Sequence, residues 1–307
     1  MKPDFFIVGG PRCGTTALST YLSEHPQICF SSPKEPNFFS YDLPGCQFAS
    51  DVDEYRAKFF GHCVPGQHLR VGEGSVWYLF SDVAVSRVLE FNPDAKFIAM
   101  VRNPVVMVQS LHAKLLTIRE ETEADFERAW RLQAQRARGE AIPPLCKEPR
   151  RLQYQALCSF GEQVKRLKAT APAEQVRVIV FDDFKRDTGK VYGEMVEFLG
   201  LEHDGRTAFP PVNVNKRLRS PRLEDLLQRP PRPMRMALNV LKQVAPVKRG
   251  LLAVLARVRS LNDDRSSREA LSAAMLEELA EAFRDDVGLL GEELGRDLSH
   301  WCKVGPR

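Results

Sequence analysis

The chain has 307 residues, of which 43% are hydrophobic and 27% charged, and its formal net charge is +4. This length allows a large domain with a sizeable core, and so small a net charge gives no global argument for a nucleic-acid or membrane partner. The sequence has no run of about 18 apolar residues, which argues against a membrane-spanning helix.

Cysteine and histidine usage predicts reduced thiols and no metal. The seven cysteines include no CxxC pair, a pattern more typical of a reducing compartment than of a disulfide framework. The six histidines show no metal-ligand spacing, so we predict no zinc site. The first apolar segment is too short for a signal peptide and runs into a glycine-rich turn. We therefore expect a cytoplasmic protein.

The first two hundred residues alternate between short apolar strands and amphipathic helices. Strands are predicted at residues 5–8, 69–74, 95–101 and 175–184, and helices at 15–25, 53–60, 81–91, 102–118, 123–139, 151–169 and 189–200. This order predicts an α/β fold with a P-loop-like parallel β-sheet flanked by helices. Ligands of such sheets bind at the carboxyl ends of the strands.

The chain changes character after Pro210. Residues 205–260 contain thirteen Lys and Arg but only two acidic residues, and several prolines break regular structure. This block is either a solvated surface or a local site for an anionic partner.

A helical C-terminal extension follows, and we expect it to begin with a capping box of Ser266 and Glu269. Its apolar stripe, which we interpret as core packing, consists of Leu271, Met275, Leu279 and Phe283. We predict a single domain over residues 1–307, with a core of about 1–205 and a basic loop and helical extension of about 206–307.

The segment GGPRCGTTAL at residues 9–18 has the spacing of a phosphate-binding loop. Thr15 and Thr16 stand where a nucleoside triphosphatase has Lys and Ser or Thr, and Arg12 lies inside the turn. Backbone amides before a helix can hold an anion without the lysine. The loop therefore favours a donor whose leaving group is a monophosphate. A P-loop kinase that binds magnesium through Asp182 is the alternative enzyme.

A second anion site is predicted directly after the strand 95–101. Arg102 and Ser110 are eight residues apart, so a helix can present both on one side. A guanidinium and a hydroxyl form a good clamp for a second phosphate. The alternative is that Arg102 pairs with a carboxylate and Ser110 only packs on its helix.

Four segments in order, GGPRCGTTAL, SPKEPNFFS, GEGSVWYLF and AKFIAMVRNPVVMVQS, resemble the sulfotransferases that use 3′-phosphoadenosine 5′-phosphosulfate (PAPS). The likeness covers roughly residues 4–220 and is strongest to bacterial members of the branch that includes the heparan sulfate enzymes. It implies that the loop of Arg12, Cys13, Gly14, Thr15 and Thr16 binds the 5′-phosphosulfate. Arg12 would then lie near the bridging oxygen, while Arg102 and Ser110 would hold the 3′-phosphate.

The resemblance also implies a catalytic base. Glu35 matches the carboxylate that serves as general base in heparan-type members, and Lys34 would help to orient the sulfuryl group or the acceptor. Ser32 and Glu35 also spell a helix capping box, which is the structural alternative for Glu35. His112 is the reserve base, although we interpret it as a packed histidine.

One position departs from the family pattern. Gly74 stands where many relatives have Lys, which puts in doubt a cation near the sulfuryl group. Residues that remain to line an acceptor pocket are Glu73, Ser75 and Tyr78. Basic residues expected to close over the nucleotide are Lys216, Arg217 and Arg219.

The sequence thus predicts a sulfotransferase that moves a sulfuryl group from PAPS to a hydroxyl of a sugar, lipid or small metabolite, leaving adenosine 3′,5′-bisphosphate (PAP). No metal and no nucleic acid are expected. Besides the kinase, a non-enzymatic protein that binds anions or nucleotides through the basic block is the remaining alternative.

Overall fold

The computed structural model describes residues 1–212 and 270–303, together with the backbone of two short strands, Arg217–Leu218 and Asp263–Asp264. The chain divides into two compact units. One comprises Met1–Val212 and Leu271–Arg307, and the other comprises Asn213–Ala270. In the second unit the described strands form a two-residue antiparallel pair. Lys216 and Arg219 lie outside the described residues, and Arg217 is described by its backbone alone.

A five-stranded parallel sheet forms the centre of the first unit. Its strands are β1 (Phe5–Gly9), β2 (Ile28–Phe30), β3 (Arg70–Gly74), β4 (Lys96–Val101) and β5 (Val176–Val180). The order across the sheet is β2-β3-β1-β4-β5, so β1 lies in the middle and pairs with both β3 and β4. Every residue of β1 is buried, as the apolar run predicts for a strand covered on both faces. The α/β prediction is confirmed.

Helices cover this sheet. They are α1 (Thr15–Ser23), α2 (Val52–Phe60), α3 (Ala84–Phe91), α4 (Pro104–Thr117), α5 (Phe126–Arg131), α6 (Gln133–Ala137), α7 (Tyr154–Cys158), α8 (Phe160–Thr170), α9 (Phe181–Arg186), α10 (Thr188–Phe198) and α11 (Ala273–Leu294). The change of direction in strand order falls at β1, where chain segments run to either side. A crevice at the carboxyl ends of the strands is expected at such a point. The loops after β1 and β4 meet there.

The long C-terminal helix packs on the sheet unit, but it starts later than the sequence predicts. Its first residue is Ala273, and the Ser272 hydroxyl caps it by accepting from the Met275 amide at 3.1 Å. Ser266 and Glu269 are outside the described residues, and the predicted capping box is not at the start of α11. The apolar stripe is buried as expected for Met275, Leu279 and Phe283.

Other differences concern segment type and length. β2 was not predicted, since three residues are too few to show a period. The predicted strand at 175–184 ends at Val180, and the acidic segment after it forms α9. The predicted helices at 123–139 and 151–169 are each broken into two. None of the helices in the described part of the chain is long and apolar enough to cross a membrane.

The cysteine prediction is wrong at two positions. Cys29 on β2 and Cys63 after α2 form a disulfide with a Cα–Cα distance of 5.6 Å, across 34 residues of sequence. His62 lies beside them, with its Nε2 3.4 Å from the Cys29 sulfur. The fold brings the two cysteines together, and their wide spacing gave no sign of it. Because the two sulfurs are bonded to each other, the cluster of Cys29, His62 and Cys63 offers no thiolate ligand to a metal in this structure.

Candidate active site

The loop between β1 and α1 has the backbone of an anion-binding turn. Arg12 and Gly14 both have left-handed conformations, with φ of 63° and 92°. Turns that contain left-handed residues before a helix bring successive amide groups to one point. A Cβ at position 14 would also lie 3.1 Å from the Phe181 ring, a tight contact, so glycine is favoured here by space as well as by the positive φ.

The remaining loop residues contribute mainly backbone. The Cys13 side chain is buried, with its thiol 3.4 Å from the Pro11 carbonyl, and burial raises the pKa of this thiol. Cys13 is therefore a packing residue rather than a reactive thiol. Thr15 is buried in the first turn of α1, and Thr16 is half-buried beside it.

Arg12, Arg102 and Ser110 converge on one another. The Arg12 Nε donates to the Ser110 hydroxyl at 3.0 Å, and the Arg102 Nη1 donates to the Arg12 carbonyl at 3.2 Å. Burial, and then the positive charge of Arg102, lower the pKa of Arg12. Two guanidinium groups this close repel each other, and an anion bound between them would remove that repulsion. The predicted loop and clamp thus form one cationic site.

The Arg102 guanidinium also lies over the ring of Phe181, 4.5 Å from its centroid. This cation–π contact fixes the orientation of Arg102 at the carboxyl edge of β4. The structure therefore does not place Arg102 in the carboxylate pair that was the alternative. Phe181 follows β5 directly, so three strand ends contribute to this site.

The loop after β2 carries Lys34 and Glu35. The Lys34 Nζ lies 3.1 Å from a Glu35 carboxylate oxygen, and the Glu35 side chain is 35% exposed. Glu35 and Asn37 both have positive φ, 68° and 51°, a conformation that non-glycine residues rarely adopt outside functional turns. No helix begins at Ser32, so the capping-box alternative for Glu35 is wrong.

A buried polar cluster supports this loop from below. Glu73 accepts hydrogen bonds from the hydroxyls of Tyr55 and Ser75. The Ser75 hydroxyl accepts in turn from the Asn37 amide at 2.9 Å, and the Tyr78 hydroxyl accepts from the Phe39 amide at 3.1 Å. Burial raises the pKa of Glu73 to about 7.

The role expected for this cluster needs correction. Glu73, Ser75 and Tyr78 are each 1% exposed or less. They cannot line an acceptor pocket in this structure, and instead they fix the backbone of residues 37–39 by hydrogen bonds. The sequence of β3 and the segment after it places acidic and hydroxyl residues side by side, and this pattern does not predict which of their side chains are buried.

Gly74 leaves room for Lys34. A Cβ at position 74 would lie 2.9 Å from the Lys34 Cε and 3.2 Å from the Phe30 ring. The positive charge of Lys34 acts on buried Glu73: it lowers the pKa of this carboxyl, whereas burial raises it by more. The end of the Lys34 side chain thus lies beside the space that a side chain at position 74 would enter.

His112, the reserve base, and the acidic residues after β5, which the kinase alternative needs, have surroundings of their own. His112 is buried, and its Nε2 lies 2.8 Å from the Glu123 carbonyl, so it packs as expected and is not placed as a base. Burial lowers the pKa of His112. At the end of β5, Asp183 pairs with Arg186 and Arg296, while Asp182 is exposed on α9.

Sequence reasoning missed Lys114. It lies on α4 four residues after Ser110, and its pKa responds to the charges of Arg12 and Glu35. The spacing of four residues from Ser110 was the available signal, because residues four apart share a helix face.

Comparison with known proteins identifies the family. Residues 2–219 match the family model described as "Sulfotransferase domain", which is more than half of the chain. The chain therefore belongs to the sulfotransferase family.

Individual relatives agree with this assignment. The crystal structure of a sulfotransferase from Alicyclobacillus acidocaldarius is similar over 99% of this chain and 100% of that one, with 28% identity and a TM-score of 0.68. Membrane-associated sulfotransferase kil1 of Dictyostelium discoideum is 29% identical over 34% of this chain and 21% of its own length. Carbohydrate sulfotransferase 15 of Mus musculus is 28% identical over 35% of this chain and 26% of its own. The chain thus matches only about a quarter of the length of these two curated relatives.

Proposed function

We propose that the protein transfers a sulfuryl group from PAPS to a hydroxyl acceptor, with Glu35 as general base and no metal ion. The observation that carries the proposal is the convergence of Arg102 and Ser110 on Arg12 at the end of β1. PAPS has phosphate groups at both ends of its ribose, and a joined pair of anion-binding elements suits such a donor.

The donor fits a loop without a P-loop lysine. Arg12, Cys13, Gly14, Thr15 and Thr16 would hold the 5′-phosphosulfate through backbone amides and the Arg12 charge. Arg102 and Ser110 would hold the 3′-phosphate. When Ser110 engages the phosphate, its hydrogen bond to Arg12 is free to exchange, which leaves the Arg12 guanidinium available to the bridging oxygen.

The chemistry is an in-line displacement at sulfur. The acceptor oxygen forms a bond to sulfur while the Glu35 carboxylate takes its proton, and the bond from sulfur to the bridging oxygen breaks. PAP leaves with the electron pair of that bond. Negative charge grows on the bridging oxygen, where Arg12 and the loop amides stabilise it. The Lys34 Nζ, 3.1 Å from a Glu35 carboxylate oxygen, orients this carboxylate.

We propose a saccharide hydroxyl as the first acceptor class to test. Support comes from the likeness to a protein named for carbohydrate sulfation, and the exposed edge of Glu35 is open to a bulky substrate. Lipid and small-metabolite hydroxyls should be tested as acceptors beside it.

The kinase alternative has less support. That function needs a magnesium-binding carboxylate at a strand end. Asp182, the residue predicted for it, is an exposed residue of α9 beyond the end of β5, and its neighbour Asp183 is paired with two arginines. The anion-binding alternative depends on the basic block, most of which lies outside the described residues.

Donor binding and transfer can be tested separately with two variants. PAP without magnesium should raise the melting temperature of the wild-type protein, whereas ATP with magnesium should not. Glu35→Gln should keep PAP affinity within about twofold but lower transfer from labelled PAPS by about 10²- to 10⁴-fold, the contribution of a positioned base. Arg102→Ala should weaken PAP binding about 10- to 100-fold, because it removes charged hydrogen bonds to the phosphate.

The results distinguish the parts of the proposal. Stabilisation by ATP with magnesium alone would support the kinase. Wild-type turnover in Glu35→Gln would remove this residue as the base, and unchanged PAP affinity in Arg102→Ala would remove its phosphate contact.

A further inference from the structure

Lys114 lies on the same side of α4 as Ser110. The two are four residues apart within the helix, so their Cβ atoms are about 5–6 Å apart. Side chains on a helix lean toward its N-terminus, which for α4 is the end that follows β4 at the carboxyl edge of the sheet. Lys114 is therefore directed back toward Ser110, whose hydroxyl is 3.0 Å from the Arg12 Nε.

The charges that act on Lys114 indicate the same location for its side chain. Lys114 is exposed to solvent, and desolvation by the surrounding atoms of α4 and its neighbours still lowers its pKa most; the positive charge of Arg12 lowers it further, while Glu35 and Glu120 raise it. Charge interactions weaken with distance. Lys114 is thus close enough to respond to both Arg12 in the loop after β1 and Glu35 in the loop after β2.

The region between Arg12 and Glu35 is where the transferred group must lie. In the proposed reaction Glu35 receives the proton of the attacking oxygen, and Arg12 is beside the oxygen that leaves. The sulfur in transit has three outer oxygens that carry negative charge, and fixed cations there stabilise the transition state. Lys34 is paired with Glu35, and position 74 has no side chain.

We propose that Lys114 contacts the outer oxygens of the PAPS sulfuryl group and acts as a further catalytic residue of the transfer. This inference rests on the proposed function. Lys114 takes up no proton and forms no covalent bond. It stabilises the charge on the sulfuryl oxygens while the acceptor–sulfur bond forms and the bridging bond breaks.

Binding of two nucleotides tests this role without an acceptor, since PAP is PAPS without its sulfuryl group. In Lys114→Met the affinity for PAPS, measured by calorimetry, should fall about tenfold, the effect of losing a charged contact. The affinity for PAP should stay within about twofold. Lys114→Arg should restore most of the PAPS affinity because it keeps the charge.

The matched control is Lys190→Met, which removes an exposed lysine of α10 that pairs with Glu194 at 3.9 Å. It should leave both affinities unchanged. Far-ultraviolet circular dichroism and the melting temperature would show that both variants are folded.

Every outcome is informative. An equal loss of PAPS and PAP affinity in Lys114→Met would make Lys114 a general nucleotide contact and overturn the proposal, as would no loss in either. If the wild-type protein binds neither nucleotide, the proposed donor itself is wrong. The two failures are therefore distinguishable.

Discussion

Glu73 is a carboxyl group enclosed by hydroxyl groups rather than by cations. Its hydrogen bonds run through Ser75 to the backbone of Asn37, two residues after the proposed base. A buried carboxyl in such a cluster is a positioning residue, because it holds the loop without touching the substrate. Because its pKa is raised to about 7, the Glu73 carboxyl changes its charge near neutral pH.

The pKa of Glu73 predicts a pH-dependent stability. It rises from 4.5 to about 7 on folding, so between these values the folded protein holds more protons than the unfolded chain. Stability should therefore fall as pH rises from about 5 to 8, by up to about 3 kcal/mol. Urea unfolding of Glu73→Gln across this range should show a flatter profile than the wild type.

Glu90→Gln is the control for this experiment, because Glu90 is an exposed carboxylate on α3 that pairs with Arg87. Its profile should parallel that of the wild type. A Glu73→Gln profile with the wild-type slope would show that Glu73 does not titrate in this range.

Residue types and spacing pointed to Arg12, Arg102 and Ser110, and the structure brings these three together. Their roles toward PAPS remain predictions. The close approach of the Lys34 side chain to Gly74 could not be predicted from the sequence, because it depends on how two separate loops approach β3. Positive φ at Glu35 was equally hidden, since glutamate has no preference for that conformation.

At the scale of elements, the start of α8 depends on the middle of α11. Asp286 of α11 accepts from the amides of Gly161 and Glu162, at 2.9 and 3.0 Å, in the first turn of α8. These amides have no partner within their own helix. Position 161 is glycine for space, because a Cβ there would lie 2.3 Å from the Asp286 carbonyl. The C-terminal helix thus caps a helix of the sheet unit.

Asp286→Ala should remove this cap. Two amides in the first turn of α8 lose their acceptor, and helix caps of this kind contribute about 1–2 kcal/mol to stability. We expect a lower unfolding free energy in urea by that amount. Asp285→Ala changes the exposed neighbour and should have little effect, so equal losses in the two variants would contradict the capping role.

Strong apolar runs gave β1 and β4, because a strand buried on both faces leaves an unbroken signal. The predicted strand at 175–184 contains all of β5, in which Arg177 is exposed. The end of β5 was missed because Phe181 continues the apolar run into α9. β2 is defined by pairing with β3 rather than by its own three residues. Local patterns carry no information about such a partner.

At the scale of the molecule, the disulfide closes a ring of chain around the proposed base. The segment between Cys29 and Cys63 includes Lys34, Glu35 and the whole of α2. A cross-link over 34 residues restricts the unfolded chain, which stabilises the folded one by about 3–4 kcal/mol.

Cys63→Ser should therefore lower the unfolding free energy by about 3–4 kcal/mol in oxidising buffer. The wild-type protein treated with a dithiol reductant should shift toward the same value. Cys146→Ser, which removes a free thiol, is the control. Identical urea midpoints for Cys63→Ser and the wild type in oxidising buffer would show that the pair is not bonded in solution.

The overall architecture followed from the alternation of strands and helices, and the α/β class and the family are confirmed. The single-domain boundary and the cellular location stay predictions. The disulfide escaped detection, because composition reports an average tendency and a bond depends on two particular positions.

The contact of Lys34 with Gly74 is yielding on one side only. A Cβ at position 74 would meet the end of the flexible Lys34 side chain, which can swing away, and the Phe30 ring at 3.2 Å, which is part of the core. A bulkier residue at position 74 would therefore displace the lysine ammonium rather than the sheet, and the ion pair with Glu35 would be the first contact to change.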